Sequence, residues 1–478
     1  MSKKKFFVST AIPYVNAAPH LGHSLEFVQA DVIARYHRLL GEDVFFLSGS
    51  DENAQKNVQA AEKENISPKK LVDKYSQKFY QFKNALNISF DDFIRTTEGR
   101  HKKGSQKLWQ LCKKDIYKKK YKGLYCIGCE AFITEKDLVD GKCPEHLKKP
   151  EVVQEENYFF ALSKYQEKIE NLIENDKIKI SPRERKNEIL SFIKQGLEDF
   201  SISRDAQRMK NWGIPVPNDP SQIIYVWFDA LINYITGLDF AGDKKLYKKY
   251  WENSSERIHV IGKGIIRFHA VYWQAMLLSA GLPLPTQELV HGYLTVNGQK
   301  ISKSLGNVVD PFEVVKKYST DATRYYLLKE IHPFKDGDFS YKRFEEVYNA
   351  DLANGLGNLI QRVSKLAEKL KIKNQKPNIQ IKNKKFNNYC SYLESYKFNE
   401  CLQWVWEKIS SVDRYIDETK PWKKTGKKLE EVLQKPTKEI LEIVCLLKPF
   451  LPQTAEKIEQ IFIASQIKAP QKPLFPRI

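Results

Sequence analysis

Two short stretches far apart in this chain carry side chains suited to chemistry: His20-Leu21-Gly22-His23 and Lys300-Ile301-Ser302-Lys303-Ser304. Phe6-Phe7-Val8-Ser9-Thr10 reads as a buried strand, Pro13 and Pro19 punctuate a loop, and Ser24 to Leu40 carries apolar residues at helical spacing. The histidines therefore fall where a helix begins. Backbone N–H groups and the helix dipole favour anions there, and imidazoles add donors without the flexibility of lysine. Two histidines at i, i+3 can equally well cap or pack a helix with no ligand involved. Paired with a mobile lysine-serine loop, they suit stabilisation of charge on a transferring phosphoryl group, with ATP as the ligand.

A second constellation points to a metal. Cys112, Cys390, Cys401 and Cys445 are scattered, whereas Cys126, Cys129 and Cys143 cluster with His146 as C-x-x-C, thirteen residues, C-x-x-H. Each half wraps two ligands onto one face of a tetrahedral ion, and Gly128, Gly141 and Pro144 supply the turns. One zinc with four protein ligands has no open position for water, so the site is expected to be structural. Chance cysteines or a redox pair are the alternative.

The elements that must position these groups follow from length and pattern. With 478 residues, two to four domains are expected. A formal charge of +19 fits a polyanionic partner, and nucleic acid fits better than membrane because no long apolar segment is present; a lysine-rich proteome would produce the same excess. Met-Ser-Lys-Lys-Lys precedes too short an apolar run for a signal peptide, so a cytoplasmic protein with reduced cysteines is expected. Residues 1–113 alternate strand and helix patterns, with Val44-Phe45-Phe46-Leu47 leading to Gly49-Ser50-Asp51. That is how a doubly wound, Rossmann-like α/β sheet begins. Most of the lysines between His101 and Lys122 read as a solvated face. Residues 114–222 form an insertion with the knuckle at 126–146. Ile223-Ile224-Tyr225-Val226-Trp227 and Arg257 to Gly262 read as strands that resume the sheet in a second half, 223–297. Val290 to Leu294 reads as another strand, and Asn297-Gly298 as a hairpin turn directly before the lysine-serine loop, within 298–349. From 350 to 465 period-3.6 stretches, Leu352 to Leu370 and Glu400 to Asp417, predict an all-α bundle. Lys371 to Lys385 reads as a loose connection, Pro421-Trp422 as a break, Pro436 to Leu447 as a further helix, and 466–478 as an irregular tail.

Taken together, these segments resemble the methionyl-tRNA synthetases, class I aminoacyl-tRNA synthetases of the HIGH superfamily, in their bacterial form with a single zinc knuckle. The resemblance runs from residue 5 to about 465. His20 to His23 resembles the first signature, His-Ile-Gly-His, and Lys300 to Ser304 the second, Lys-Met-Ser-Lys-Ser. The family implies a catalytic role for His20, His23, Lys300 and Lys303, and ATP binding by these with Gly22, Gly262 and Ser302. Ala11-Ile12-Pro13-Tyr14 and Val226-Trp227-Phe228-Asp229-Ala230 resemble walls of its methionine pocket. Ile12, Tyr14, Trp227, Ala230, Tyr234, Ile265 and His269 would line it, and Tyr14 or His269 would offer the sulfur a weak hydrogen bond. Without the family, Trp227 and Tyr234 would read as core.

Asp51 resembles the carboxylate for the substrate ammonium, and Arg204 its charged neighbour. Asn354, Asn358 and Arg362, on one helix face at i, i+4, i+8, resemble the anticodon-reading helix, with Trp422 as a stacking plane; alone, that stripe would read as a solvated face. The implied reaction is ATP-dependent formation of methionyl-adenylate, assisted by Mg2+, then transfer of methionine to initiator and elongator tRNA(Met). One departure stands out: Gly262-Lys263-Gly264 has glycine where the family usually has an aspartate that approaches the ATP ribose. The family relation further implies a monomer. A catalytically silent tRNA-binding paralogue and a zinc-stabilised RNA-binding module are the rival readings.

Overall fold

The computed structural model describes residues 3–478 except 129–130, 134, 136–137, 145–146, 302–305, 369, 371 and 373–380. Two compact units divide the chain: 1–19, 43–82 and 90–291 form one, and 20–42, 83–89 and 292–478 the other.

The first unit is built on six strands, β1 (Lys5–Thr10), β2 (Asp43–Ser50), β3 (Asp92–Arg95), β4 (Lys179–Ser181), β5 (Glu256–Gly262) and β6 (Gln287–His291). They lie in the order β3-β2-β1-β5-β6-β4, and all five pairings are parallel. This is the doubly wound α/β sheet expected from the sequence, with the order reversing between β1 and β5. Phe6, Phe7 and Val8 are wholly buried, as continuous apolar runs are in a sheet covered on both faces.

Two expectations are corrected here. Ile223 to Trp227 does not join this sheet. The strand Asp219–Ile224 pairs antiparallel with Ser203–Asp205, and from Val226 the chain turns into the helix Val226–Leu231, every residue of which is buried. A short apolar run has no period by which strand and buried helix differ. Val290 to Leu294 is likewise not one strand: β6 ends at His291, and Leu294–Val296 belongs to a separate sheet of the second unit. Within His101 to Lys122 most of the lysines are exposed, as expected, while the helix Gly99–Leu111 buries His101, Ser105, Leu108 and Trp109. His101 Nε2 lies 2.7 Å from Asp229 Oδ1, while Asn53 donates to Asp229 Oδ2 at 2.7 Å.

The insertion is a long antiparallel arm, Ile116–Cys126 against Glu151–Phe160, extended by Ala131–Ile133 and Phe200–Ser201. Cys126 ends one side of that arm and Cys143 lies in the loop that leads to the other.

In the second unit, Leu294–Val296 and Gln299–Lys300 form a hairpin, and Asn297 (φ 51°) and Gly298 (φ 74°) adopt the left-handed pair that its turn demands. Asp338 pins it, accepting from Gly298 N at 2.7 Å and Thr295 Oγ1 at 2.6 Å. The helices Phe398–Thr419, Gly426–Leu447 and Pro452–Ile463 pack in succession, as the bundle pattern predicts. The second of these begins ten residues before Pro436 and carries that proline inside it. Proline cannot bond the carbonyl four residues back, and here Tyr415 Oη donates to that carbonyl, Val432 O, at 3.4 Å.

A buried ion pair ties three segments of this unit together. Arg324, wholly buried, donates to Asp31 at 2.7 Å, Leu86 O at 3.0 Å, Pro449 O at 2.9 Å and Phe450 O at 2.8 Å. Asp31 also accepts from Arg35 Nε and from Ser89 N, each at 2.7 Å.

Candidate active site

The two signature stretches meet. His20 is the N-cap of the helix Leu21–Leu39, and its Nδ1 accepts the Gly22 N–H at 3.1 Å; His23 Nδ1 accepts the His20 N–H at 3.2 Å. The rings lie 3.9 Å apart. Capping and ligand binding are thus compatible, because caps made through Nδ1 fix the tautomer and leave the proton on Nε2 of each ring. Burial pushes the His20 imidazole down to about 4, and burial together with the neighbouring His20 holds His23 well below the ordinary histidine range. At neutral pH both rings are uncharged donors. A side chain at position 22 would stand 3.0 Å from the His20 ring and 3.6 Å from Ile301 Cδ1, so glycine keeps the cap open where the lysine-serine stretch approaches. Leu21 N donates to Val309 O at 3.0 Å, anchoring the far side of that stretch. Lys300 ends the pinned hairpin and its carbonyl accepts from Asn307 Nδ2 at 3.0 Å. Ser302 and Lys303 lie outside the described residues.

In the first unit an aromatic cluster gathers the pocket candidates. Tyr14 meets Trp227 edge-on at 6.3 Å, and Trp227 stacks on Phe268 at 3.7 Å. Phe268 went unnoticed in the sequence because a phenylalanine at helical spacing carries no signal beyond packing. Asp51, buried, is tied through its backbone to the Tyr14 loop: Asp51 N donates to Pro13 O at 2.9 Å and Val15 N to Asp51 O at 3.3 Å. Ile12, on the Tyr14 loop, reaches back against Gly49 near the end of β2. Ala230 sits on the buried helix Val226–Leu231.

His269 lies in a π-helical stretch, Phe268–Trp273, a widening of the helix often found at functional sites. Its Nδ1–H donates to Ile265 O at 3.0 Å and its Nε2 accepts from Tyr234 Oη at 2.6 Å. Burial holds its ring down at about 4, so it is neutral and has no N–H left for a ligand. Of the two groups expected to face the sulfur, Tyr14 or His269, the His269 ring has both nitrogens engaged within the protein. Gly262 ends β5 beside His291, and Gly264 lies in the single 3-10 turn that follows. Arg204 is buried, bonded to Ser201 Oγ at 2.9 Å, with its guanidinium 4.1 Å from the Tyr225 ring.

Of the zinc candidates, Cys126 and Cys143 are both buried and unlinked by a disulfide. One comes from each half of the motif, Cys126 at a strand end and Cys143 in a loop, and two such thiols fit a thiolate donor set; Cys129 and His146 lie outside the described residues. The described residues alone contain no group of three metal donors.

In the helical region Asn354 and Asn358 are exposed, but Asn354 lies in the π-helical stretch Tyr348–Gly357, so the regular i, i+4, i+8 ladder is broken. Arg362 is paired with Asp413 at 2.6 Å and Asp417 at 2.5 Å, and lies 6.0 Å from the ring of Trp422, which is 51% exposed. No helix among the described residues is long and apolar enough to cross a membrane.

Comparison with known proteins places the chain in a family. The family described as tRNA synthetases class I (M) matches residues 6–149 and 146–364. The methionine–tRNA ligase of Fusobacterium nucleatum is 44% identical over 474 residues, covering 95% of this chain and 74% of that protein. That of Brucella melitensis is 40% identical, covering 100% of this chain and 98% of its own length. Among solved structures, Mycobacterium tuberculosis methionyl-tRNA synthetase in complex with methionyl-adenylate superposes with a TM-score of 0.91 at 34% identity, covering 99% of this chain and 100% of that one. The chain belongs to the class I tRNA synthetases, among the methionine–tRNA ligases.

Proposed function

We propose that this protein activates L-methionine with ATP and transfers it to tRNA(Met), and that the residues named above carry out the two steps. The observation that carries the site assignment is the contact of Ile301 with the Gly22 face of the histidine cap. Methionine's carboxylate is already a nucleophile, so no general base is required; the protein must align it with the α-phosphate. His20 and His23, neutral, give Nε2–H bonds to phosphate oxygens, and the charge is supplied by Lys300 and Lys303 as pyrophosphate departs. Mg2+, bound with ATP, supplies further neutralisation of the phosphate oxygens. Gly22, Gly262 and Ser302 complete the ATP contacts. Ile12, Tyr14, Trp227, Ala230, Tyr234, Ile265 and His269 enclose the methionine side chain, Asp51 takes its ammonium, and Arg204 orders the neighbourhood.

Cys126, Cys129, Cys143 and His146 hold one structural zinc at the end of the insertion arm. Asn354, Asn358, Arg362 and Trp422 read the anticodon of initiator and elongator tRNA from the segment 350–465. The enzyme works as a cytoplasmic monomer. The decisive experiment is methionine-dependent ATP–pyrophosphate exchange in Lys303→Ala, expected to fall by about 10²-fold or more. Near-normal exchange would overturn the assignment of that loop.

A further inference from the structure

We propose that Glu288 is a positioning residue for the Tyr234–His269 pair, acting through Gln274 on one side and through one internal water shared with His259 on the other. Glu288 lies on β6 directly opposite His259 on β5, and His259 is opposite Ser9 on β1. Register partners in a parallel sheet share a face, so Ser9, His259 and Glu288 form a polar stripe across an otherwise apolar core. All three are wholly buried. Ser9 Oγ meets His259 Nδ1 at 2.7 Å, and Tyr234 stacks on the His259 ring at 3.8 Å. The Gln274 amide nitrogen donates both to Glu288 Oε1 at 3.2 Å and to the backbone carbonyl of His269 at 3.1 Å. Contacts thus run from Glu288 through Gln274 to His269, on to Tyr234 and His259, and back to the strand beside Glu288.

Burial raises the Glu288 carboxyl well above its ordinary value, so the group is a neutral acid. Oε1 accepts from Gln274, which leaves the hydroxyl on Oε2. With the His259 proton on Nδ1, toward Ser9, its Nε2 is an acceptor. Four atoms here have no hydrogen-bond partner among the described residues: Glu288 Oε2, Trp273 Nε1, His259 Nε2 and Gln274 Oε1. They amount to two donors and two acceptors, the complement of one tetrahedral water. A water reaching these atoms would link Glu288 to His259, on whose ring Tyr234 stacks.

This inference rests on the assignment of Tyr234 and His269 to methionine binding. Its test is the KM for methionine and for ATP in pyrophosphate exchange, with the thermal midpoint of each variant. Glu288→Gln keeps an acceptor and a donor, and is expected to hold the methionine KM within about twofold. Glu288→Ala and Gln274→Met break the link from either end, and each is expected to raise the methionine KM about tenfold with the ATP KM unchanged. An unchanged methionine KM in Gln274→Met overturns the proposal, as does a loss in Glu288→Gln equal to that in Glu288→Ala, or a parallel rise in both KM values. If Glu288→Ala does not fold, Gln274→Met and Glu288→Gln decide between these outcomes. Tyr234→Phe with an unchanged methionine KM overturns the pocket assignment itself, a separate outcome.

Discussion

Replacing Arg324 with methionine removes a buried charge while keeping most of the stem volume, so the cost is electrostatic rather than a cavity. Four acceptors lose their donor: the Asp31 carboxylate and the carbonyls of Leu86, Pro449 and Phe450. Breaking a buried pair from one side costs about 3–5 kcal/mol, and a buried acceptor left unmet costs about 1–3 kcal/mol. Asp31 keeps Arg35 and Ser89, and water can reach some carbonyls once the guanidinium is gone, which holds the expected total near 4 kcal/mol. At about 2–4 °C per kcal/mol for a unit of this size, the melting temperature falls by roughly 10 °C. Arg324→Lys should recover little, because an ammonium cannot span acceptors on three segments.

The assay is guanidinium denaturation followed by both fluorescence and far-UV circular dichroism, a single free energy being read only where the two coincide. Asp31→Asn added to Arg324→Met should cost less than the sum of the single changes, by about 1–3 kcal/mol. A loss below about 1 kcal/mol in Arg324→Met, or strict additivity with Asp31→Asn, would refute the reasoning. Burial alone would raise the Asp31 carboxyl; Arg324, Arg35 and Ser89 outweigh it, so its value in the folded protein lies below the ordinary one. That stabilisation is full above the unfolded carboxylate value near pH 4 and is lost as pH falls below it.

Tyr415→Phe leaves the Val432 carbonyl without its donor and should cost about 1 kcal/mol; in a Pro436→Ala background, where the backbone N–H returns, the same change should cost almost nothing by chemical denaturation. The His20 imidazole lies at about 4 when folded and near 6.5 when unfolded, so its contribution to stability is full above about pH 6.5 and is lost as pH falls toward 4. The corresponding kinetic expectation is an exchange rate with no histidine limb between about pH 6 and 8; a limb abolished by His20→Gln would show that the ring titrates there. Trp422→Ala should lower aminoacylation kcat/KM roughly tenfold, the scale of one lost base stack, while leaving pyrophosphate exchange unchanged. Intact aminoacylation would remove Trp422 from anticodon reading.

Signals that are local in the chain were legible before any fold. The histidine and lysine-serine signatures, the first two strands, the Asn297-Gly298 turn and the long amphipathic helices each depend on residues within one or two turns of one another, so sequence alone determined them. Tertiary structure decided what depends on distant partners. Arg324 is one of 78 basic residues, and nothing nearby in sequence says that its guanidinium meets Asp31 and three carbonyls in the core. Pro436 reads as a helix start because its i−4 carbonyl has no visible substitute donor, and Tyr415 arrives from another helix. Ile223 to Phe228 is apolar throughout, and only the space left by its neighbours makes one half strand and the other the start of a helix. The histidines divide the same way: their positions were written in the chain, but whether each ring is charged, and which nitrogen keeps a proton, follows from burial and from the groups the fold brings to the other nitrogen.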